Sequence, residues 1–143
     1  MTVVIRRPNI YEHDSVRALV QNVVDEIYGG QWAAPPLPID EESWGLAWIA
    51  VTDGKIIGVA LTGEQWISDL RVLRQHRGHG VGQKLLEQVE TEIANRGRRT
   101  FRLRVVKSNT NAVNFYLEHG WRVEREFPRE RLPVTMLEMV KIQ

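Results

Sequence analysis

The sequence contains no cysteine. Its absence excludes disulfides, thiolate metal sites and a cysteine nucleophile. Long hydrophobic runs are also missing: the longest unbroken apolar stretch, LAWIAV from Leu46 to Val51, is far too short to span a bilayer. The N-terminal MTVVIRRPN lacks the apolar core of a secretory leader. Charge of one sign is lacking too. Nineteen Lys and Arg stand against 18 Asp and Glu, for a net charge of +1, which argues against a nucleic-acid binder held by bulk electrostatics. The arginines that do cluster, Arg96, Arg98, Arg99, Arg102 and Arg104, read as a solvated face. Together these absences predict a soluble cytoplasmic protein with no membrane or nucleic-acid partner.

What is present fits one domain, residues 1–143, with 43% apolar residues and a sizeable core. TVVIRR, ending at Pro8, predicts a first strand. Val16, Leu19, Val20, Val23, Val24 and Ile27 recur at helical spacing, with Asp14 or Ser15 as cap and Gly29-Gly30 as the stop. Gly29 to Trp44, rich in proline, predicts an irregular loop with one short helix. LAWIAVTDGKIIGVALTG predicts a hairpin turning at Asp53-Gly54, and EQWISDLRVL a third consecutive strand. A helix carrying Leu85, Leu86, Val89 and Ile93 runs to Gly97. TFRLRVV alternates as a strand, SNTNAVNFYLEHG predicts a short helix, and WRVEREF with VTMLEMVKI a closing antiparallel pair. The class is α+β: a mixed, mostly antiparallel sheet of six to seven strands flanked by about four helices.

Between the third strand and its helix lies QHRGHGVGQKLLEQVE, with glycines at 78, 80 and 82. A glycine-lined helix start can hold an anion on its free N–H groups and positive dipole end. A nucleotide-hydrolysing P-loop would need Gly-Lys-Ser/Thr, but Lys84 follows Gln83 and precedes Leu85. A dinucleotide fingerprint would need GxGxxG, but Gln83 stands at the third glycine and the preceding strand belongs to a meander. A plain left-handed turn would need one glycine, and the others weaken the helix start by roughly 1 kcal/mol each.

Gln75 to Gly80 resembles the Q/R-x-x-G-x-G/A signature of the GNAT family of N-acetyltransferases. ISDLRVLRQHRGHGVGQKLL is similar throughout to that family's fourth strand, pyrophosphate loop and third helix. NTNAVNFYLEHGW resembles a second family segment, with Asn109, Ala112, Phe115, Tyr116, Gly120 and Trp121 in register. The likeness covers nearly the whole chain and is weakest over Gly29 to Trp44. It implies a single acyl-CoA N-acyltransferase domain with a V-shaped gap between strands four and five, and acetyl-CoA as cosubstrate without a metal. Backbone amides from Arg77 through Gly78, His79, Gly80, Val81 and Gly82 would hold the pyrophosphate. Main-chain atoms of Leu70 and Val72 would pair with pantetheine, Gln75 and Arg77 would add side-chain contacts, and Phe115 would lie beside the cofactor. Asn109 would reach the cofactor or cap its helix.

The implied reaction is acetyl transfer from the thioester to an amine. Tyr116 maps onto the family's tyrosine acid, and a phenol is protonated at neutral pH. Its alternative role is core packing. Some members carry a base at the position of Trp66. Glu64, two residues before it, is therefore the first candidate by strand alternation, Asp69 the second and a water chain the third. His76 and His79 read as solvated beside the phosphates. Trp32, Trp44 and Asp40-Glu41-Glu42 would suit a cationic amine, whether small molecule, lysine or peptide N-terminus, or form a packed loop. A non-catalytic acyl-CoA sensor and an interaction module with a vestigial cleft are the competing functions. The C-terminal strands could pair two copies into a homodimer.

Overall fold

The structure, a computed structural model, describes residues 2–29, 44–129 and 133–143. Strand β1 (Val4–Arg6) stops short of Pro8, which has no N–H for a ladder. Helix α1 (His13–Tyr28) follows a 3₁₀ turn at Ile10–Glu12. The start signal is Asn9, not Asp14 or Ser15. The Asn9 Oδ1 accepts from the Tyr11 amide at 2.9 Å, while Glu12 accepts from the Asn9 amide at 3.0 Å, closing a capping box. Strands β2 (Trp48–Thr52) and β3 (Lys55–Gly63) form the expected hairpin, with Asp53 and Gly54 both at positive φ, as a right-twisted hairpin favours. Strand β4 (Trp66–Val72) is shorter than its sequence suggested, because Glu64 and Gln65 form the turn from β3.

Helix α2 (Val81–Asn95), strand β5 (Thr100–Val106), helix α3 (Thr110–Glu118), strand β6 (Arg122–Pro128) and strand β7 (Thr135–Ile142) complete the chain. The seven strands lie in the order β1-β2-β3-β4-β5-β7-β6, antiparallel except for β4 beside β5. Three of the expected helices are described in full. The expectations for Trp32 and for Asp40 to Glu42 lie outside the described residues. Adjacent residues on β2 serve opposite faces, as strand alternation demands. Ile49 packs with Val16, Val20 and Val23 of α1, whereas Ala50 packs with Leu85, Val89 and Ile93 of α2. No described helix is long and apolar enough to cross a membrane.

The arginine cluster is not simply solvated. Arg96 pairs with Glu92 at 3.0 Å, and Arg102 and Arg104 reach the buried Glu138 at 3.5 and 3.3 Å. Glu92 is itself a junction. It accepts hydrogen bonds from Trp48 of β2, Thr62 of β3, Arg96 and Arg7, tying α2 to the first half of the sheet.

Candidate active site

The parallel pair β4–β5 holds at only two positions, Trp66 with Arg102 and Ile67 with Leu103. The next residue, Ser68, is a β-bulge: Ile67 faces Thr62 and Asp69 faces Leu61, leaving Ser68 without a register partner on β3, though its hydroxyl donates to Leu61 O at 3.0 Å. The bulge bends β4 away from β5, and from there β5 pairs only with β7. Within the gap, strand alternation decides which main-chain groups are free. The Leu73 amide donates to Ile57 O of β3 at 2.9 Å, so the main-chain groups of Arg71 and Leu73 face β3. Those of Leu70 and Val72 face the gap, which is the arrangement needed to pair an extended chain there.

Beyond β4 the loop turns through Gly78 and Gly80, both in the left-handed region at φ of 80° and 81°, and Gly80 caps α2. A Cβ added at either would meet nothing within 4 Å, so both face open space. A Cβ at Gly82 would touch the Phe115 ring at 3.4 Å, which brings α2 and α3 together at the cleft wall. Gln75 and His79 are exposed and do not line the cleft, and the Val81 side chain is buried in the core. Only the Val81 amide is left for a ligand. Arg77 is engaged elsewhere. Its Nη atoms donate to both Glu26 carboxylate oxygens at 2.7 Å, and its Nε to Val72 O at 3.0 Å.

Two cavities meet at the gap. One, of about 570 Å³, is lined by Val72, Arg77, the three loop glycines and Phe115. The other, of about 490 Å³, is lined by Tyr28, Ile67, Asp69, Arg104, Arg129 and Phe127. Leu70, Arg71, Asn109, Ala112 and Tyr116 line both, so the cleft is continuous and Tyr116 stands at its junction. Asn109 caps α3: its Oδ1 accepts from the Ala112 amide at 3.3 Å, and its Nδ2 donates to the Tyr28 hydroxyl at 3.0 Å. Burial pushes the Tyr116 phenol above its ordinary pKa; the Arg71 guanidinium opposes the rise, while Asp69 and Tyr28 add to it. A proton stays on this oxygen throughout the neutral range.

Glu64 does not belong to this site. It lies in the β3–β4 turn at φ of 52°, exposed, with its carbonyl taken by Arg96 beyond the far end of α2. Strand alternation cannot apply to a turn residue, so its expected place on the face of Trp66 fails. Asp69, the second candidate, lines the cleft, 3.6 Å from Arg71. Burial raises its carboxyl above the ordinary aspartate value, against the pull of Arg71. Trp44 is a core residue packed with α1, not part of the cleft wall. Sequence reasoning missed Arg71, Tyr28 and His119, which lines the glycine-side cavity with its ring 4.4 Å from that of Phe115. Alternation along β4 does carry a signal for Arg71, because it puts Arg71 on the face of Asp69 once Leu70 faces the core.

Residues 17–121 match the family model described as Acetyltransferase (GNAT) family. A thialysine N-epsilon-acetyltransferase from Mus musculus is 39% identical over 51 residues, covering 36% of this chain and 30% of that protein. The N-acetyltransferase YjcF of Bacillus subtilis, itself uncharacterized, is 38% identical over 72 residues, covering 49% of this chain and 48% of its own. The chain thus spans half or less of the length of the curated relatives it matches. The PaiA N-acetyltransferase of Thermoplasma acidophilum, solved in complex with coenzyme A, shares the fold at a TM-score of 0.77 and 18% identity, covering 100% of both chains. With the bulged fourth strand, the glycine-capped helix and a family match spanning most of its length, the chain belongs to the acetyltransferase (GNAT) family.

Proposed function

We propose that this protein transfers an acetyl group from acetyl-CoA to a primary amine. The observation that carries this reading is the position of Tyr116, where a glycine-walled cavity and a charged one meet beside the open edges of β4. The residues fit the cosubstrate. Gly78 and Gly80 leave open space in front of the α2 start, where helix N–H groups can receive a pyrophosphate. The main-chain groups of Leu70 and the Val72 amide, whose own carbonyl is taken by Arg77, face the gap and can pair with the pantetheine amides in the manner of strand addition. Bound acetyl-CoA supplies an activated acyl thioester. Asp69 accepts the proton that an alkylammonium must lose before it can attack, directly or through water, and its raised pKa suits it to that task better than an ordinary aspartate. Tyr116 holds the proton that the departing sulfur takes up. The names of the mouse and Bacillus relatives, both N-acetyltransferases, support the same class of reaction. A cytoplasmic location belongs to this reading.

The test is thiol release from acetyl-CoA on addition of a panel of amines and peptides, with product mass. Tight CoA binding without transfer to any acceptor would replace this reading with that of an acyl-CoA sensor.

A further inference from the structure

The described lining of the cavity on the far side of Tyr116 from the glycine loop is unevenly charged. Among its described lining residues, three guanidiniums, those of Arg71, Arg104 and Arg129, face one carboxylate, that of Asp69. Among the described residues, Arg71 has only Asp69, Arg104 shares Glu138, and Arg129 has no carboxylate partner. Arg71 is only loosely paired with Asp69 at 3.6 Å, and its Nε is buried without a hydrogen-bond partner among the described residues. Arg104 leans on Glu138 at 3.3 Å, a carboxylate that Arg125 also reaches at 3.4 Å and Arg102, paired more closely with Glu124 at 3.0 Å, touches at 3.5 Å. Arg129 makes no side-chain pair with any described residue, while its amide fixes the backbone to Val134 O at 3.0 Å. Aromatic rings flank the same charges: the Arg104 guanidinium lies 5.0 Å from the Trp66 ring centre and 5.4 Å from that of Phe127.

A largely buried guanidinium such as that of Arg71 is costly without an acceptor, and the forks of donors that Arg71 and the exposed Arg104 and Arg129 present match a carboxylate. From these juxtaposed charges we infer that the acceptor is a small amine that also carries a carboxylate. Its ammonium end goes to Asp69 beside Tyr116, and its anionic end to Arg104 and Arg129. This rests on the amine-acetylating reading above and narrows it. A simple alkylamine leaves the arginines unanswered, and a diamine sets a second cation against them. The size of the cavity, about 490 Å³, suits a small molecule.

The experiment uses the whole chain and three amines of one length: 5-aminopentanoate, n-pentylamine and 1,5-diaminopentane. Two quantities are read: kcat/KM for acetyl transfer, and affinity for the protein saturated with CoA. The amino acid should exceed pentylamine about tenfold or more in both, with the diamine weakest and the preference shrinking as salt rises. Arg129→Gln, at an exposed position without an ion pair to any described residue, should bring the ratio of amino acid to pentylamine toward one, and Arg129→Glu should turn it toward the diamine. Equal use of the three amines, preference for the diamine, or preference for a peptide N-terminus with no acidic group would overturn the inference while leaving acetyl transfer intact. Binding that favours 5-aminopentanoate and responds to Arg129→Gln, without acetylation of any amine, would uphold it and overturn the transfer reading. Absence of both binding and transfer for 5-aminopentanoate would overturn the inference.

Discussion

Arg77 of the glycine loop grips Glu26 of α1 through two hydrogen bonds of 2.7 Å each, joining elements 51 positions apart in the chain. The pair lies at the cleft wall, both side chains partly exposed. Its contribution to folding is therefore small, at most about 1 kcal/mol. Its effect on a polyanionic ligand is opposite in sign. Glu26→Gln removes a negative charge from the cavity and frees Arg77, so CoA affinity should rise by a factor of about five at low salt, worth about 1 kcal/mol. Calorimetric titration at two ionic strengths checks both the rise and its screening.

Removing only the hydroxyl of Tyr116 tests the acid. Tyr116→Phe keeps the ring that packs edge-on against Phe115 at 5.4 Å, so stability and CoA affinity should change little. Single-turnover transfer should slow by about 10²-fold, the lower end of what a general acid contributes. Transfer as fast as in the parent protein would make Tyr116 a packing residue.

Asp69 carries a stability cost with a definite pH window. Its folded-state pKa is raised, so the folded protein binds this proton more tightly than the unfolded chain does. The resulting stabilisation is complete below the unfolded value, near pH 4, and is lost as pH rises through the folded value. Asp69→Asn should therefore raise Tm at pH 7.5 and leave it nearly unchanged at pH 3.5. The same substitution should slow transfer by about 10²-fold. Thermal melts at both pH values, together with kinetics, separate the two effects.

Gly80 allows shape and charge to be told apart. Its φ of 81° strains any side chain, by roughly 1–2 kcal/mol, though Asn and Asp tolerate that region best. Gly80→Asn and Gly80→Asp should lose similar stability. Gly80→Asn should weaken CoA binding, and Gly80→Asp should abolish it, because only the latter sets a negative charge against the pyrophosphate. Equal affinities for the two variants would remove the pyrophosphate from this loop.

Far from the cleft, Glu92 offers a control on stability alone. Burial works against its charge, but hydrogen bonds from Thr62, Arg7 and Trp48 hold its pKa below the ordinary value. A lowered value gives stability present above the unfolded pKa and lost as pH falls through the folded one. Glu92→Ala should cost about 2–3 kcal/mol at pH 7, and less at pH 3. Urea unfolding at the two pH values measures the difference.

The sequence made some of this architecture legible and hid the rest for identifiable reasons. TFRLRVV alternates as far as Val105 and contains no breaker, and β5 occupies those very residues. Asp53-Gly54 carries its turn chemistry in its own side chains. Glu64-Gln65 does not: neither residue marks a turn, and the positive φ at Glu64 is imposed by the pairing of β3 with β4. That hidden turn misplaced the base. The bulge at Ser68 has no local signature either, since it is a mismatch between two strands and not a property of one. Tyr116, Phe115 and the loop glycines were legible because a short helix and a loop hold them at fixed sequence spacing. Arg71, Tyr28 and Arg129 meet only when three distant elements converge, and no window of sequence contains them together.

Unpaired strand edges normally belong at the rim of a sheet, where proteins shield them with charge, bulges or short length. The divergence after Ile67 gives this protein two more, at its centre, so the sheet is two half-sheets stitched at two residue pairs. Whatever extended molecule occupies the seam becomes a temporary eighth strand and restores continuity across the middle of the domain. Cohesion between the halves is then partly on loan from solution. It grows with the logarithm of ligand concentration above the dissociation constant, and a domain left empty is the form in which a foreign strand can slip into the opening.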